Sequence, residues 1–433
     1  MNITILALGS QGDVQPYVSL GQGLLRAGHQ VRVATHAAFE PMVRSRGLGF
    51  ALVRTNPRDL LGTRAGHRWL HGRANALSFA RGFARVAGPA MREIMSDCFA
   101  ACADADLIAV SLPGVLIGLH LAEKTGAQLV RAFCCPAATH VTVEGAVRAT
   151  AGFGGQFSLA SDLVLRQALW LFMRKATNEA REAVLGLPPV SLKNPFRRMD
   201  LDRVPLLYAF SSAVFFPDPH WGDWVHVAGY WFLDSGPDWR PPAELERFIE
   251  AGDPPVYVGF GSMNTPDPRQ TTALIVDALS QANVRGVLQT GWGGLHGADL
   301  PSRFLAIEGV PHEWLFPRMA AVVHHGGAGT LGYALRAGVP SVIVPFTLDQ
   351  PFWGRRVQSL GVGPAPVPRR DLTVDRLASA VHQAVTDPGM RSRAKALGRQ
   401  ICEEDGVASA IDWLEHRLSG SERREPALAG VRV

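Results

Sequence analysis

The side chains and backbone groups best suited to chemistry in this 433-residue chain gather in a few short segments. One is His324-His325-Gly326-Gly327-Ala328-Gly329-Thr330, between an apolar run, Ala320 to Val323, and a helix-prone run, Thr330 to Arg336. Glycines let a backbone approach a ligand closely and adopt dihedrals that other residues avoid. Free N–H groups and partial positive charge at a helix start suit a diphosphate. Thr330 adds a hydroxyl donor and His325 a ring N–H. A tight turn needs glycine too, so the pattern alone does not separate the two uses. It is not a P-loop, because no Gly-Lys-Ser/Thr follows, and it is not GxGxxG.

Asp349-Gln350, in Pro345 to Gly354, follows the next apolar run and sets a carboxylate beside an amide. Together they offer the hydrogen-bond sites that the hydroxyls of a pyranose require, or they form a turn before Pro351. Near the other end, Asp13 closes the turn Gly9-Ser10-Gln11-Gly12-Asp13. A carboxylate there can act as a general base or cap the following helix through its free N–H groups. A helix start stabilises the charged carboxylate and so weakens it as a base. Asp104-Ala105-Asp106 has the spacing of a metal-binding DxD, but it sits in an Ala-rich stretch and reads as a solvated helix end. No metal site is expected.

These segments need a scaffold. Asn2 to Leu8 is short and apolar, as a buried parallel strand should be. A helix is expected from Pro16, with Tyr17, Leu20, Leu24 and Ala27 as its apolar stripe. Gly28 ends it and Gln30 to Thr35 is the next strand. Leu107 to Ser111 and Gln128 to Ala132 flank a second such unit, which implies a parallel sheet covered by helices. Phe215 to Pro242 changes texture and reads as a connector. The alternation then restarts, with strands at Pro255 to Gly259, Arg285 to Gln289, Ala320 to Val323 and Ser341 to Val344. The expected fold is therefore α/β, two doubly wound halves. The expected domains are 1–218 and 253–402, joined by a linker at 219–252, with a tail from Ser419.

A chain of this length exceeds what one core usually serves. Apolar residues make up 47% and charged residues 19%, an ordinary globular balance. The net charge of +5 is mild and its cations are scattered, so nucleic acid is not implied as a partner. The five cysteines form no CxxC pair and fit a reducing cytoplasm. Met1 to Ser10 lacks a basic flank and a cleavage site and reads as a first strand. The longest apolar stretch, Leu107 to Ala122, is broken by Pro113-Gly114 and is too short to span a bilayer. Trp69, Phe79, Phe83, Phe133, Phe153, Phe157 and Trp170 can line an apolar cleft or fill the core.

Taken in order, Gly9 to Pro16 (GSQGDVQP), Gly259 to Met263 (GFGSM) and Gly309 to Gly363 resemble the motifs of family 1 glycosyltransferases. The similarity is to the branch holding bacterial antibiotic glycosyltransferases and sterol glucosyltransferases. It implies a GT-B fold, two Rossmann-like domains facing across a cleft, with the acceptor in the N-terminal half and the nucleotide sugar in the C-terminal half. A final helix, about 403–418, would return to the N-terminal domain. His325, Gly327, Gly329 and Thr330 would hold the diphosphate with help from Ser262. Val310 and His312 would lie beside the base, and Asp349 and Gln350 would bind the sugar. Asp13 would be the catalytic base, with Gln11 beside it at the acceptor pocket.

Three positions depart from the family's pattern. Tyr333 stands where many members carry the Glu that binds ribose, and Gly309 where many carry a base-stacking Trp, for which Trp292 is the available substitute. Leu348 stands where related motifs often have Gly. The implied reaction is an inverting, metal-independent transfer from a UDP- or dTDP-sugar to a hydroxyl of an apolar natural product. The polyketide, macrolide, flavonoid and sterol classes are all open. No cofactor is expected, and either a monomer or a homodimer is compatible with the sequence. A sugar-nucleotide epimerase of the same fold, or a non-catalytic nucleotide-sugar binder, stays open. A nicotinamide-dependent enzyme does not fit, because GxGxxG and its acidic ribose ligand are missing.

Overall fold

The structure, a computed structural model, describes residues 1–56, 59, 63, 66, 76–136, 159–217, 221–236, 238–261, 263, 267–290, 295, 297, 300–346 and 349–421. The chain forms two compact units, one of Met1–Trp231 with the segment from Asp405 onward, the other Phe232–Glu404.

The first unit is built on seven parallel strands: β1 (Asn2–Leu6), β2 (Gln30–Thr35), β3 (Gly49–Leu52), β4 (Leu107–Val110), β5 (Gln128–Phe133), β6 (Leu206–Tyr208) and β7 (Val225–Val227). Their order is β3-β2-β1-β4-β5-β6-β7. β4 is buried at every position, as a strand covered on both faces must be. The first helix, α1 (Gln11–Arg26), buries Val14, Tyr17, Val18, Leu20 and Leu24. Gly23 lets the last helix, Gly406–Ser421, press against α1, since a side chain there would meet Val407 and Ile411. The Trp231 indole N–H donates to the Gly406 carbonyl at 3.0 Å, tying the start of that helix to the segment after β7.

The second unit carries five parallel strands, β8 (Val256–Gly259), β9 (Gly286–Gln289), β10 (Phe304–Ile307), β11 (Ala321–His324) and β12 (Ser341–Ile343), ordered β10-β9-β8-β11-β12. Alternation divides its apolar side chains between two faces. Val256, Val258 and Val323 join Leu377 and Val381 in one core. Tyr257 and Val322 join Leu315, Phe316 and Tyr333 in the other.

Two local expectations need correction. α1 begins at Gln11, not Pro16, because Ser10 caps it and Asp13 reaches back to Ser10; Pro16 is carried inside the helix. Residues 219–252 are not bare connector: they hold β7, at the edge of the first sheet, and the helix Ala243–Glu250 in the second unit.

Candidate active site turns at two sheet switch points

In each sheet the chain builds outward in one direction, returns, and builds in the other. The strands where it reverses are β1 and β4 in the first sheet and β8 and β11 in the second. The carboxyl ends of such strands leave a crevice in which α/β proteins bind ligands. Gly9–Asp13 follows β1, and His325–Thr330 follows β11, so both candidate turns lie at switch points.

In the first unit, three consecutive amides after β1 are each taken by a side chain from a different element. The Leu8 N–H donates to Ser111 Oγ at 3.2 Å, past the end of β4. The Gly9 N–H donates to His36 Nε2 at 3.2 Å, past the end of β2. The Ser10 N–H donates to Asp13 Oδ2 at 2.8 Å, and the Ser10 hydroxyl donates to the same oxygen at 2.9 Å. Gly9 has φ +135°, and a Cβ there would sit 2.5 Å from Asp13 Oδ2, so glycine is required on both counts. Among the described residues, Asp13 Oδ1 has no hydrogen-bond partner. Burial raises the Asp13 pKa above the usual carboxylate range, and the two Ser10 bonds only partly oppose it. The helix start alone would have lowered this pKa; burial raises it, and burial could not be read from the sequence.

One turn along α1, the Tyr17 hydroxyl donates to the Ala132 carbonyl at 2.5 Å and lies 3.8 Å from Cys134 Sγ. Gln11, the first residue of α1, is exposed and its amide lies 3.5 Å from Gln15 Oε1. The DxD carboxylates lie at the opposite edge of the sheet and are already engaged. Asp104 forms a two-pronged pair with Arg32 at 2.7 and 3.2 Å, and Asp106 accepts the Asn2 N–H at 2.7 Å. Asp106 is thus not the solvated helix end of the sequence reading but a tie between β1 and the start of β4.

In the second unit, His324, His325 and Gly326 are buried while Gly327 to Thr330 are partly open. Gly327 is the N-cap of the helix Ala328–Arg336, and among the described residues no N-cap side chain takes the first helical N–H groups. The His325 ring lies between Gly327 and Gly261: a Cβ on Gly327 would collide with Nε2, and one on Gly261 would sit 3.0 Å from Cε1. Among the described residues, His325 Nδ1 is buried without a hydrogen-bond partner. Burial lowers the His325 pKa to about 4. Burial, with His325 nearby, does the same to His312. Both rings are neutral at pH 7 in the absence of a ligand.

Gln350 binds neighbouring loops together, its Oε1 accepting the Phe346 N–H at 2.8 Å and its Nε2 lying 3.5 Å from Met263 Sδ. Asp349 Oδ2 accepts the Trp353 indole N–H at 2.8 Å, which fixes the carboxylate ahead of the helix Gln350–Ser359. Gly261, His325, Gly327 and Gln350 therefore meet at the carboxyl ends of β8, β11 and β12. Val310 is buried in the core, and His312 stacks on Phe316 at 4.3 Å. Tyr333 is committed elsewhere: its hydroxyl accepts the Leu233 N–H and donates to the Leu233 carbonyl, both at 3.0 Å.

Ser262, Trp292, Leu348, Trp69, Phe153 and Phe157 lie outside the described residues. Phe133 is buried at the end of β5, and Phe79 and Phe83 are half-buried on the helix Ala76–Ala87. Trp170 is fully buried, its indole N–H donating to the Ser191 carbonyl, so it belongs to the core. Sequence reasoning missed Ser10, His36 and Ser111. Ser-x-x-Asp ahead of an apolar run was the available signal for Ser10. His36 and Ser111 needed the sheet order.

Residues 3–138 match the glycosyltransferase family 28 N-terminal domain, and residues 294–406 match the C-terminal domain of erythromycin biosynthesis protein CIII-like proteins. The sterol 3-beta-glucosyltransferase of Aspergillus fumigatus is 37% identical over 435 residues, covering 96% of this chain and 30% of that protein. The chain spans about a third of the length of the curated relatives it matches. Among solved structures, CalG4, the calicheamicin glycosyltransferase, superposes with a TM-score of 0.66 at 20% identity, covering 96% of this chain and 98% of that one. Glycosyltransferase VinC, solved with dTDP, gives 0.63 at 19% identity, covering 97% and 100%. No helix among the described residues is long and apolar enough to cross a membrane. With two parallel α/β units, a glycine turn at one switch point, a carboxylate turn at the other and these relatives, the chain belongs to the family 1 glycosyltransferases of GT-B fold.

Proposed function

We propose that this chain transfers a sugar, with inversion and without a metal, from a UDP- or dTDP-linked donor to a hydroxyl of an apolar acceptor. The observation that carries the reading is Asp13 itself: a carboxylate at a switch point, raised in pKa by burial, with Oδ2 loaded by Ser10 and Oδ1 left without a hydrogen bond among the described residues. Such an oxygen can take the proton of an acceptor hydroxyl as the new glycosidic bond forms.

In the proposed reaction the acceptor oxygen attacks the anomeric carbon, the bond from that carbon to the diphosphate breaks, and the acceptor proton passes to Asp13 Oδ1. The negative charge that grows on the leaving diphosphate is met by the uncapped N–H groups after Gly327 and by the His325 ring, donors fixed before the reaction starts. Asp349, oriented by Trp353, and Gln350 bind hydroxyls of the sugar. The relatives' names favour glucose and a sterol 3β-hydroxyl, whereas the dTDP complex of VinC keeps thymidine-linked donors in the test.

The test is turnover with UDP-glucose or dTDP-glucose and a panel of sterol, macrolide and flavonoid acceptors. Asp13→Asn is expected to lower kcat by roughly 10²–10⁴, the usual share of general-base catalysis, with donor binding intact. Chelation by EDTA is expected to leave turnover unchanged, and NMR of the product should show the inverted anomer. Wild-type turnover by Asp13→Asn would remove the base. An isomerised nucleotide sugar formed without acceptor would favour an epimerase.

A further inference from the structure

We propose that His36 is a positioning residue for the catalytic turn, holding the Gly9–Ser10 backbone so that Ser10 presents its donors to Asp13. The proposal rests on the reading of Asp13 as the base.

Two hydrogen bonds of the His36 ring agree on one tautomer, and the Thr55 backbone interacts with the ring as well. Nδ1 lies 3.3 Å from the Val53 carbonyl, which can only accept, so Nδ1 carries the proton. Nε2 is then the acceptor that the Gly9 N–H needs at 3.2 Å. The side chain is buried, 5% exposed, and burial favours the neutral ring. His36 thus bridges the segment after β3 to the turn after β1.

Gly9 is the residue whose orientation matters most. Its positive φ and its missing Cβ bring the backbone against Asp13, and the next amide is one of the two donors to Oδ2. Without an acceptor for the Gly9 N–H, the Gly9–Ser10 peptide loses the bond that fixes its plane. A partly buried N–H left unpaired would favour rotation of that peptide towards another acceptor or solvent. The geometry of Ser10 relative to Asp13 would change while the carboxylate itself stayed on α1.

The experiment compares His36→Phe and His36→Gln, each alone and combined with Asp13→Asn, using UDP-glucose and a 3β-hydroxysterol. Glutamine can offer an amide oxygen to Gly9 and an N–H to Val53; phenylalanine can do neither. Expected are a fall in kcat of about tenfold or more for His36→Phe with donor KM unchanged, recovery to within about threefold for His36→Gln, and no further loss when His36→Phe is added to Asp13→Asn. Amide exchange in the peptide spanning residues 7–13 should speed up in His36→Phe and not in His36→Gln. Equal losses with and without Asp13, or a glutamine variant as impaired as phenylalanine, would overturn the positioning role and leave the base in place. Full turnover by Asp13→Asn alone would retire the base and this role with it.

Discussion

Asp13 Oδ2 lies 2.8 Å from the Ser10 amide nitrogen and 2.9 Å from its hydroxyl, so a single residue loads one carboxylate oxygen twice. Both bonds favour the charged form and oppose the effect of burial. Ser10→Ala removes the hydroxyl bond and keeps the amide bond. The acid limb of the kcat profile, where Asp13 becomes protonated, should therefore move to higher pH. Turnover on the plateau should stay within about tenfold of wild type, because the base remains on α1. A pH–rate series for the two proteins checks this; an unmoved acid limb would assign that titration to another group.

Gly327→Ala tests the grip on the diphosphate. The new Cβ collides with His325 Nε2 and must displace the ring from the helix start. UDP affinity should fall at least about tenfold, or 1.4 kcal/mol, by calorimetry. Acceptor binding, which depends on the other unit in the proposed reaction, should not change. Unaltered UDP affinity would show that neither the ring nor this helix start contacts the phosphates.

The neutral histidines predict how binding and stability respond to acid. His312 and His325 have pKa values of about 4 in the folded chain, below the 6.5 of an exposed ring. Between these values the unfolded chain binds protons that the folded chain does not, so stability is complete above pH 6.5 and lost as pH falls towards 4. At pH 5 the loss is on the order of 2 kcal/mol for each ring. A diphosphate beside His325 favours its charged form, so UDP should bind more tightly as pH falls from 7 to 5 and should offset part of the loss. Thermal unfolding with and without UDP across this range reads both effects. Affinity that is flat or weaker at pH 5 would place the phosphates away from His325.

Tyr333→Phe separates a structural tyrosine from a ribose ligand. Removing the hydroxyl deletes both of its bonds to Leu233, and the expected destabilisation is about 1–3 kcal/mol. Donor KM should be unchanged, because the hydroxyl is occupied by backbone on both its donor and acceptor sides. A large rise in donor KM with normal stability would restore the ribose role.

Much of the architecture was legible because it repeats. Buried parallel strands read as short apolar runs, and glycine breaks mark their turns, so β2 was located to its ends and β1, β4, β5, β8 and β11 to within a residue or two. β3, β6, β7 and β10 were not found. They are short, and their neighbours on the sheet, not their own patterns, make them strands. Pro16 misled for a related reason: its fixed φ suits a helix start, yet the reciprocal Ser10–Asp13 cap sets the start five residues earlier.

The chemistry divides along the same line. Residue type and local order alone determined that a glycine turn precedes a helix at 326–330, that a carboxylate follows the first strand within a few residues, and that Asp349 stands beside Gln350. These follow from neighbours in the chain. Tertiary structure decided the surroundings of those groups: that burial raises the Asp13 pKa which a helix start would lower, that His36 and Ser111 hold the turn before it, and that Tyr333 bonds to Leu233. Each of those depends on residues between 27 and 103 positions apart, brought together only when the sheet orders its strands. Desolvation and long-range hydrogen bonds have no signature in a linear sequence, because both are properties of the atoms that folding places around a group.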